Sequence, residues 1–364
     1  MYVYYFIILF PLILSFKKYP ITLQQKRIDY FYWSIFFLLL LIIFGFRYKI
    51  GGDWNNYLDT FNNFYGKNVV GVEYYTGNFN SFKYTKNLAH APVFALIMKF
   101  SQIISSSFIF FNFLLSLIFL IAIFKLSSIY KEKWVFLALL IPYLSIIVHT
   151  GYVRQSLAIS FLALTLFYFF EKKFFLSFVL LSLSILTHIA TIPFLIIFFK
   201  KKFTKFIVFF SFIFFIFLII NFEQIYNLFY YYLGKGIHFE SLGAQFRILL
   251  LIPFIFLIFY QLKYKTCSNE EKILFRSVII IYFILFIFML IGKSTFSDRL
   301  ALSCILFSGM ISAKILSNFK SDRNKILFKI IISLYCVLNF TSWMIFSPFA
   351  DSWIPYKNYL FYGE

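Results

Sequence analysis

Four arginines, Arg47, Arg154, Arg247 and Arg299, each stand at the end of a long apolar run. A guanidinium offers a planar, permanently charged fork that grips phosphate oxygens in pairs, which an ammonium cannot do, so such a set suits a bound phosphate or pyrophosphate. Any one of them could also be an anchor that snorkels to a membrane surface. Asp53 follows Gly51-Gly52 in the segment FGFRYKIGGDWNNYLDTF (44–61) and opens a predicted helix, where it can serve as an N-cap or as a proton acceptor. His188 lies in LTHIATIPFLI (186–196), with Pro193 about one turn later, which predicts a helix break at the imidazole. His149 stands five residues before Arg154 and reads equally as an interfacial polar residue or a site member, with Gln155 and Asp298 as further candidates beside Arg154 and Arg299. No Asp-x-Asp occurs and His90, His149, His188 and His238 share no ligand spacing, so no metal site is expected; His90 and His238 read as ordinary loop residues. Cys267, Cys304 and Cys336 are too widely separated to suggest a disulfide framework or a thiolate metal site.

The elements that must position these groups are membrane helices. Of 364 residues, 62% are hydrophobic and 13% charged, with a mean hydropathy of +0.85, about half the charge of an ordinary soluble chain. Apolar runs at 1–16, 28–46, 108–124, 134–149, 155–170, 206–221, 247–262, 277–292, 300–313 and 327–346 predict about ten spans in one all-α transmembrane domain, 1–364. The opening MYVYYFIILFPLILSF lacks a basic leader and a small-residue cleavage site, and so reads as a retained span. Basic clusters in the alternate loops hold 22 of the 34 cations and should be cytoplasmic. On that map 19 of 27 lysines lie inside, whereas four of seven arginines lie outside, which sets the arginines apart from mere topology signals. The net charge of +20 is accounted for by these loops, and nucleic-acid binding is not expected.

Two segments break the alternation. Residues 174–199 lie between clusters that both favour the cytoplasm, which predicts a broken, re-entrant helix pair with its apex at His188, shielded from lipid. Residues 91–104 predict a short helix at the outer surface. Outer loops at 47–90 and 222–246 and an outer tail at 347–364 complete the map, and no cytoplasmic loop is long enough for a nucleotide-binding domain.

The segment around Arg47, Gly51-Gly52 and Asp53 resembles the EpsG family of bacterial exopolysaccharide membrane proteins, related to the Wzy polymerases. GYVRQSLAISFLAL (151–164) is similar to that family's Arg-Gln-x-x-Ala span start, LTHIATIPFLI to its His-bearing broken segment, and Asp298-Arg299 and IPYKNYLF (354–361) also fit. The resemblance implies a GT-C-like, metal-independent glycosyltransferase in the plasma membrane. It would join undecaprenyl-diphosphate-linked oligosaccharide repeats on the outer face, without a cofactor, beside flippase and chain-length regulator proteins. Such a donor carries its own leaving group, so the work required is charge stabilisation on the diphosphate and a base for the attacking hydroxyl. Arg47, Arg154 and Arg299, with Arg247, would supply the first, and His188 or Asp53 the second. A flippase for the same lipid-linked sugar would need a polar path to the cytoplasmic side, where the inner halves of the spans are nearly bare of charge. A membrane O-acyltransferase would need larger cytoplasmic loops to receive its acyl donor. A noncatalytic scaffold would make the outer arginines accidental.

Overall fold

The computed structural model describes residues 1–17, 22–64, 91–198, 241 and 243–362. Among them every regular element is helical, and an isolated β-bridge joins Arg47 to Asn358. Eight helices among the described residues are long and apolar enough to cross a membrane: α2 (Leu23–Gly45), α5 (Phe108–Ser127), α6 (Lys133–Gly151), α7 (Val153–Phe170), α9 (Ala244–Tyr264), α10 (Asn269–Leu290), α11 (Ser294–Asn318) and α12 (Asp322–Phe346). Each matches an expected span. The first expected span forms α1 (Tyr2–Ser15), whose 14 residues reach only about 21 Å at 1.5 Å per residue. That is shorter than a bilayer's hydrocarbon core of about 30 Å, so α1 is not among the eight helices of spanning length. Residues 206–221, with His90, His238 and most of the loops 47–90 and 222–246, lie outside the described residues.

Burial does not follow hydropathy, since the most apolar spans, α5 and α10, are less buried than α6 and α11. The apolar stretch of α6 is entirely buried and that of α11 is 83% buried, whereas α12 is only 22% buried. A helix that is apolar on all sides can be central, and α6 is wrapped by α1, α5, α11 and α12. Outward, the peripheral helices carry Leu38, Ile42, Phe256, Phe259, Phe283, Leu334, Leu338 and Ile345 exposed, an apolar surface that suits lipid rather than water. At the opposite pole, lysine-rich loops are tied by Lys133–Asp29 at 2.5 Å, Lys314–Glu271 at 2.7 Å and Lys329–Glu132 at 3.4 Å. The other pole carries the residues after α12 and is the tail end of the bundle.

Helix α6 winds as a π-helix over Ile141–Val148, where Pro142 has no N–H to offer the ordinary ladder. It stops at Tyr152, whose φ of −116° and ψ of 61° let the chain turn straight into α7. Helix α8 (Phe174–Thr187) lies on α7, pinned by Ser177 Oγ to the Thr165 carbonyl at 2.7 Å and Ser184 Oγ to the Ala158 carbonyl at 2.7 Å. At His188 the backbone becomes extended, and a 3₁₀ helix follows over Ile189–Phe198. The Phe198 ring returns to within 5.4 Å of Phe178, so the chain reverses at the imidazole. The expected surface segment is helix α4 (Pro92–Ile104), with Phe94 and Met98 buried and Leu96, Phe100 and Ile103 exposed.

Candidate functional site

The last turn of α2 leaves carbonyl groups with no partner in the helix, as every helix end does. The tail and Arg47 supply them. Asn358 Nδ2 donates to the Ile42 carbonyl at 3.1 Å, the Tyr356 hydroxyl to Ile43 at 2.9 Å, and Arg47 Nη1 to Phe44 at 2.8 Å. Tyr48 N–H and Tyr359 N–H then bond to the Lys357 and Phe46 carbonyls at 3.0 and 2.7 Å, closing a short two-stranded clasp. Gly51 follows with φ +105°, a conformation that favours glycine, and a Cβ there would strike the Thr150 carbonyl. This turn launches α3 (Trp54–Phe64), whose Trp54 and Phe61 are buried while Asn55, Asp59 and Asn62 face outward. Asp53 is thereby set immediately ahead of α3, its carboxyl bonded to the Asn56 side chain.

Three further elements reach the same place. Arg154 and Gln155 lie in the first turn of α7, Arg299 in the first turns of α11, and His188 at the break after α8. The charges of Arg299 and Arg154 both act on Asp53 and on His188. Tyr57 of α3 packs among them, its hydroxyl accepting from Arg154 N–H at 3.4 Å. Gln155, 2% exposed, donates from Nε2 to the Arg299 carbonyl at 2.5 Å and accepts from Arg299 Nη1 at 3.4 Å, while the guanidinium lies 4.6 Å from the centre of the Tyr152 ring. Burial pushes the Asp53 carboxyl above its usual range, against the pull of Arg299, Arg154 and the Asn56 bond. Burial also raises the Tyr57 phenol, so it stays protonated. His188 accepts from Ala190 N–H at Nδ1, 3.2 Å away. A ring nitrogen that accepts carries no proton, so in the neutral imidazole the proton sits on Nε2.

The other candidates are engaged by other partners, although Arg247 also interacts with Tyr152, which lies against Arg299. Arg47 is 1% exposed, with Nη2 on Asn112 Oδ1 at 2.6 Å and its charge acting on Tyr4, Tyr356 and His149. Its guanidinium clasps α2 to α5, with Nη1 on the Phe44 carbonyl and Nη2 on Asn112. Arg247 pairs with Asp298 and donates to the Tyr143 hydroxyl at 2.7 Å and Ser241 Oγ at 3.2 Å. A carboxylate against it offsets its charge, so Asp298 and Arg247 form a buried tie between α11 and α9. His149 has both ring nitrogens engaged, by Ser116 Oγ at 2.9 Å and Ser156 Oγ at 2.8 Å, and stacks on Phe119; it is a packed polar residue of the core. Among the described residues no three His, Cys, Asp or Glu side chains gather as a metal site would require. Tyr57 and Tyr152 belong to the cluster without having been singled out, because 27 tyrosines in the chain hide any one of them.

Among the described residues, an all-helical bundle with eight helices of spanning length, gathering a carboxylate, an imidazole and two guanidinium groups at one pole, defines a polytopic membrane protein with a charged cluster at the end of its bundle. The EpsG family profile matches residues 30–358. The chain therefore belongs to the EpsG family, the family of exopolysaccharide, Wzy-like polymerases. No curated protein and no solved structure matches it.

Proposed function

We propose that the protein joins oligosaccharide repeat units carried on undecaprenyl diphosphate, at the outer face of a bacterial plasma membrane, with the tail end of the bundle facing outward. The observation that carries this reading is the convergence of Arg154 and Arg299 beside Asp53 and His188 in a member of a polymerase family. In the reaction a sugar hydroxyl of one lipid-linked repeat attacks the anomeric carbon of the chain on another. The new C–O bond forms as the bond from that carbon to the diphosphate oxygen breaks, and undecaprenyl diphosphate leaves with the electron pair. Arg154 and Arg299 take up the charge that builds on the leaving diphosphate.

Asp53 is the better base. Its carboxyl is partly desolvated and so holds a proton more strongly than a free carboxylate, which helps it accept the one released by the hydroxyl. With Nδ1 of His188 occupied by Ala190, the imidazole can present Nε2–H as a donor to a diphosphate or sugar oxygen. Purified protein in liposomes, given lipid-linked repeats, tests the reading: a ladder of polymer lengths is expected, and failure of the wild-type protein to lengthen any chain would overturn it.

A further inference from the structure

Arginines at the tail end are held in two chemically different ways. Arg247 is met by the carboxylate of Asp298, whereas Arg299 is met by the carboxamide of Gln155 and the face of Tyr152. An amide offers a donor and an acceptor without net charge, so it orients a guanidinium and leaves its full positive charge for another anion. A carboxylate orients it and also offsets that charge. Asp53 is the carboxylate whose interaction with Arg299 is felt across the cluster, and it is shared with Arg154.

We propose that Gln155 is a positioning residue that holds Arg299 by its backbone carbonyl and its guanidinium together, without discharging it, so that Arg299 binds a phosphate-bearing anion and Arg247 does not. This rests on the reading of the cluster as a diphosphate site and adds the device that makes one arginine available there. The geometry is demanding. Nε2 reaches the carbonyl of Arg299 at 2.5 Å while Oε1 of the same amide faces its Nη1 at 3.4 Å, so backbone and side chain of Arg299 are fixed by one planar group that is itself 2% exposed.

The substitution Gln155→Glu separates charge from shape. When ionised, the introduced carboxylate neutralises Arg299 and sets an oxygen against the Arg299 carbonyl in place of the N–H. When protonated, the same carboxyl is a near copy of the amide, donating O–H to the carbonyl and accepting from Nη1. Inorganic pyrophosphate titrated by calorimetry into the full-length, detergent-solubilised protein is the probe. At pH 8, Gln155→Glu should weaken binding by about tenfold or more, and the isosteric, neutral Gln155→Met by a few-fold. Lowering the pH to 5 should leave the Gln155→Glu deficit in place, because the Arg299 guanidinium keeps the introduced carboxyl ionised below its ordinary value of about 4.3, each ratio being taken against wild type at the same pH to cancel the protonation of pyrophosphate itself. Should Gln155→Glu not fold, Gln155→Met carries the test alone. Wild-type affinity in both variants at both pH values would overturn the proposal while leaving the diphosphate site intact. A wild-type protein that does not bind pyrophosphate, or an Arg299→Ala variant that binds it as wild type does, would overturn both the proposal and the site. Polymer formation, assayed in parallel, reports on the polymerase reading separately.

Discussion

Trp353 lies across Gly151, so close that a Cβ on the glycine would sit 2.7 Å from the indole Cη2. The indole N–H is shared between the Ile146 carbonyl at 3.1 Å and Thr150 Oγ1 at 2.7 Å, and Tyr4 donates to the Trp353 carbonyl at 2.9 Å. The tail thus plugs the end of the most buried helix, directly before the turn that carries Arg154. Gly151→Ala should push the indole away and cost about 1–3 kcal/mol. A fall in the thermal unfolding temperature of the detergent-solubilised protein, matched by a similar fall in Trp353→Ala, is the expected result.

Arg154 should behave as a ligand-binding group. Arg154→Lys keeps the charge and loses the fork, so polymerisation should fall markedly, and further in Arg154→Ala, with membrane level unchanged. Polymer length in liposomes at equal protein is the measurement, and full-length product from the alanine variant would remove Arg154 from the site.

Arg47 should behave in the opposite way. Truncating it to alanine strands the Phe44 carbonyl and Asn112 Oδ1 in a buried setting, at about 1–3 kcal/mol for each group left without a partner. Lower protein yield and a lower unfolding temperature are expected before any specific effect on turnover. A fully stable, inactive Arg47→Ala would show that the clasp is not what this residue is for.

With Asp53 as base, activity should fail on the acid side as its carboxyl takes up a proton, and because burial raises that carboxyl, the acid limb should lie above the ordinary aspartate value of about 3.9. The same sign governs stability: the folded state holds the proton more tightly, so the stabilisation present at acid pH is lost as pH rises through the folded value. Asp53→Asn should abolish the acid limb together with most of the activity. An unchanged profile in that variant would assign the base elsewhere.

The Arg247–Asp298 pair offers a stability test independent of chemistry. Asp298→Asn leaves a buried guanidinium without its counter-charge, and a cost of about 3–5 kcal/mol is expected. Adding Arg247→Met should recover much of it, which a double-mutant cycle of unfolding temperatures would read as a large coupling.

Much of the fold was legible because lipid demands long apolar runs, and those runs are visible residue by residue. The break at His188 was legible too, since an imidazole and Pro193 interrupt an apolar stretch between two basic clusters. What differed was the sorting of the arginines. From the sequence Arg47, Arg154, Arg247 and Arg299 are alike, each at the end of an apolar run. Their difference lies in partners distant along the chain: Asn112 for Arg47, Asp298 for Arg247, and an amide only one residue away from Arg154 for Arg299. IPYKNYLF was legible as a motif but not as a structural clasp, because nothing local says that Tyr356 and Asn358 will meet the carbonyls of α2. Tyr57 and Tyr152 carried no signal in a chain with 27 tyrosines.

The clasp between Asn358 and the end of α2 also sets an order of events during biosynthesis. The turn that presents Asp53 is made early in translation, yet Gly51 N–H bonds to the Ser352 carbonyl and Tyr48 N–H to Lys357. While the ribosome is still adding the later helices, the first third of the chain is already in the membrane with those N–H groups waiting. The cluster can reach its final geometry only once residues 352–358 have emerged, so an unfinished chain carries every charged group of the site on an unassembled frame.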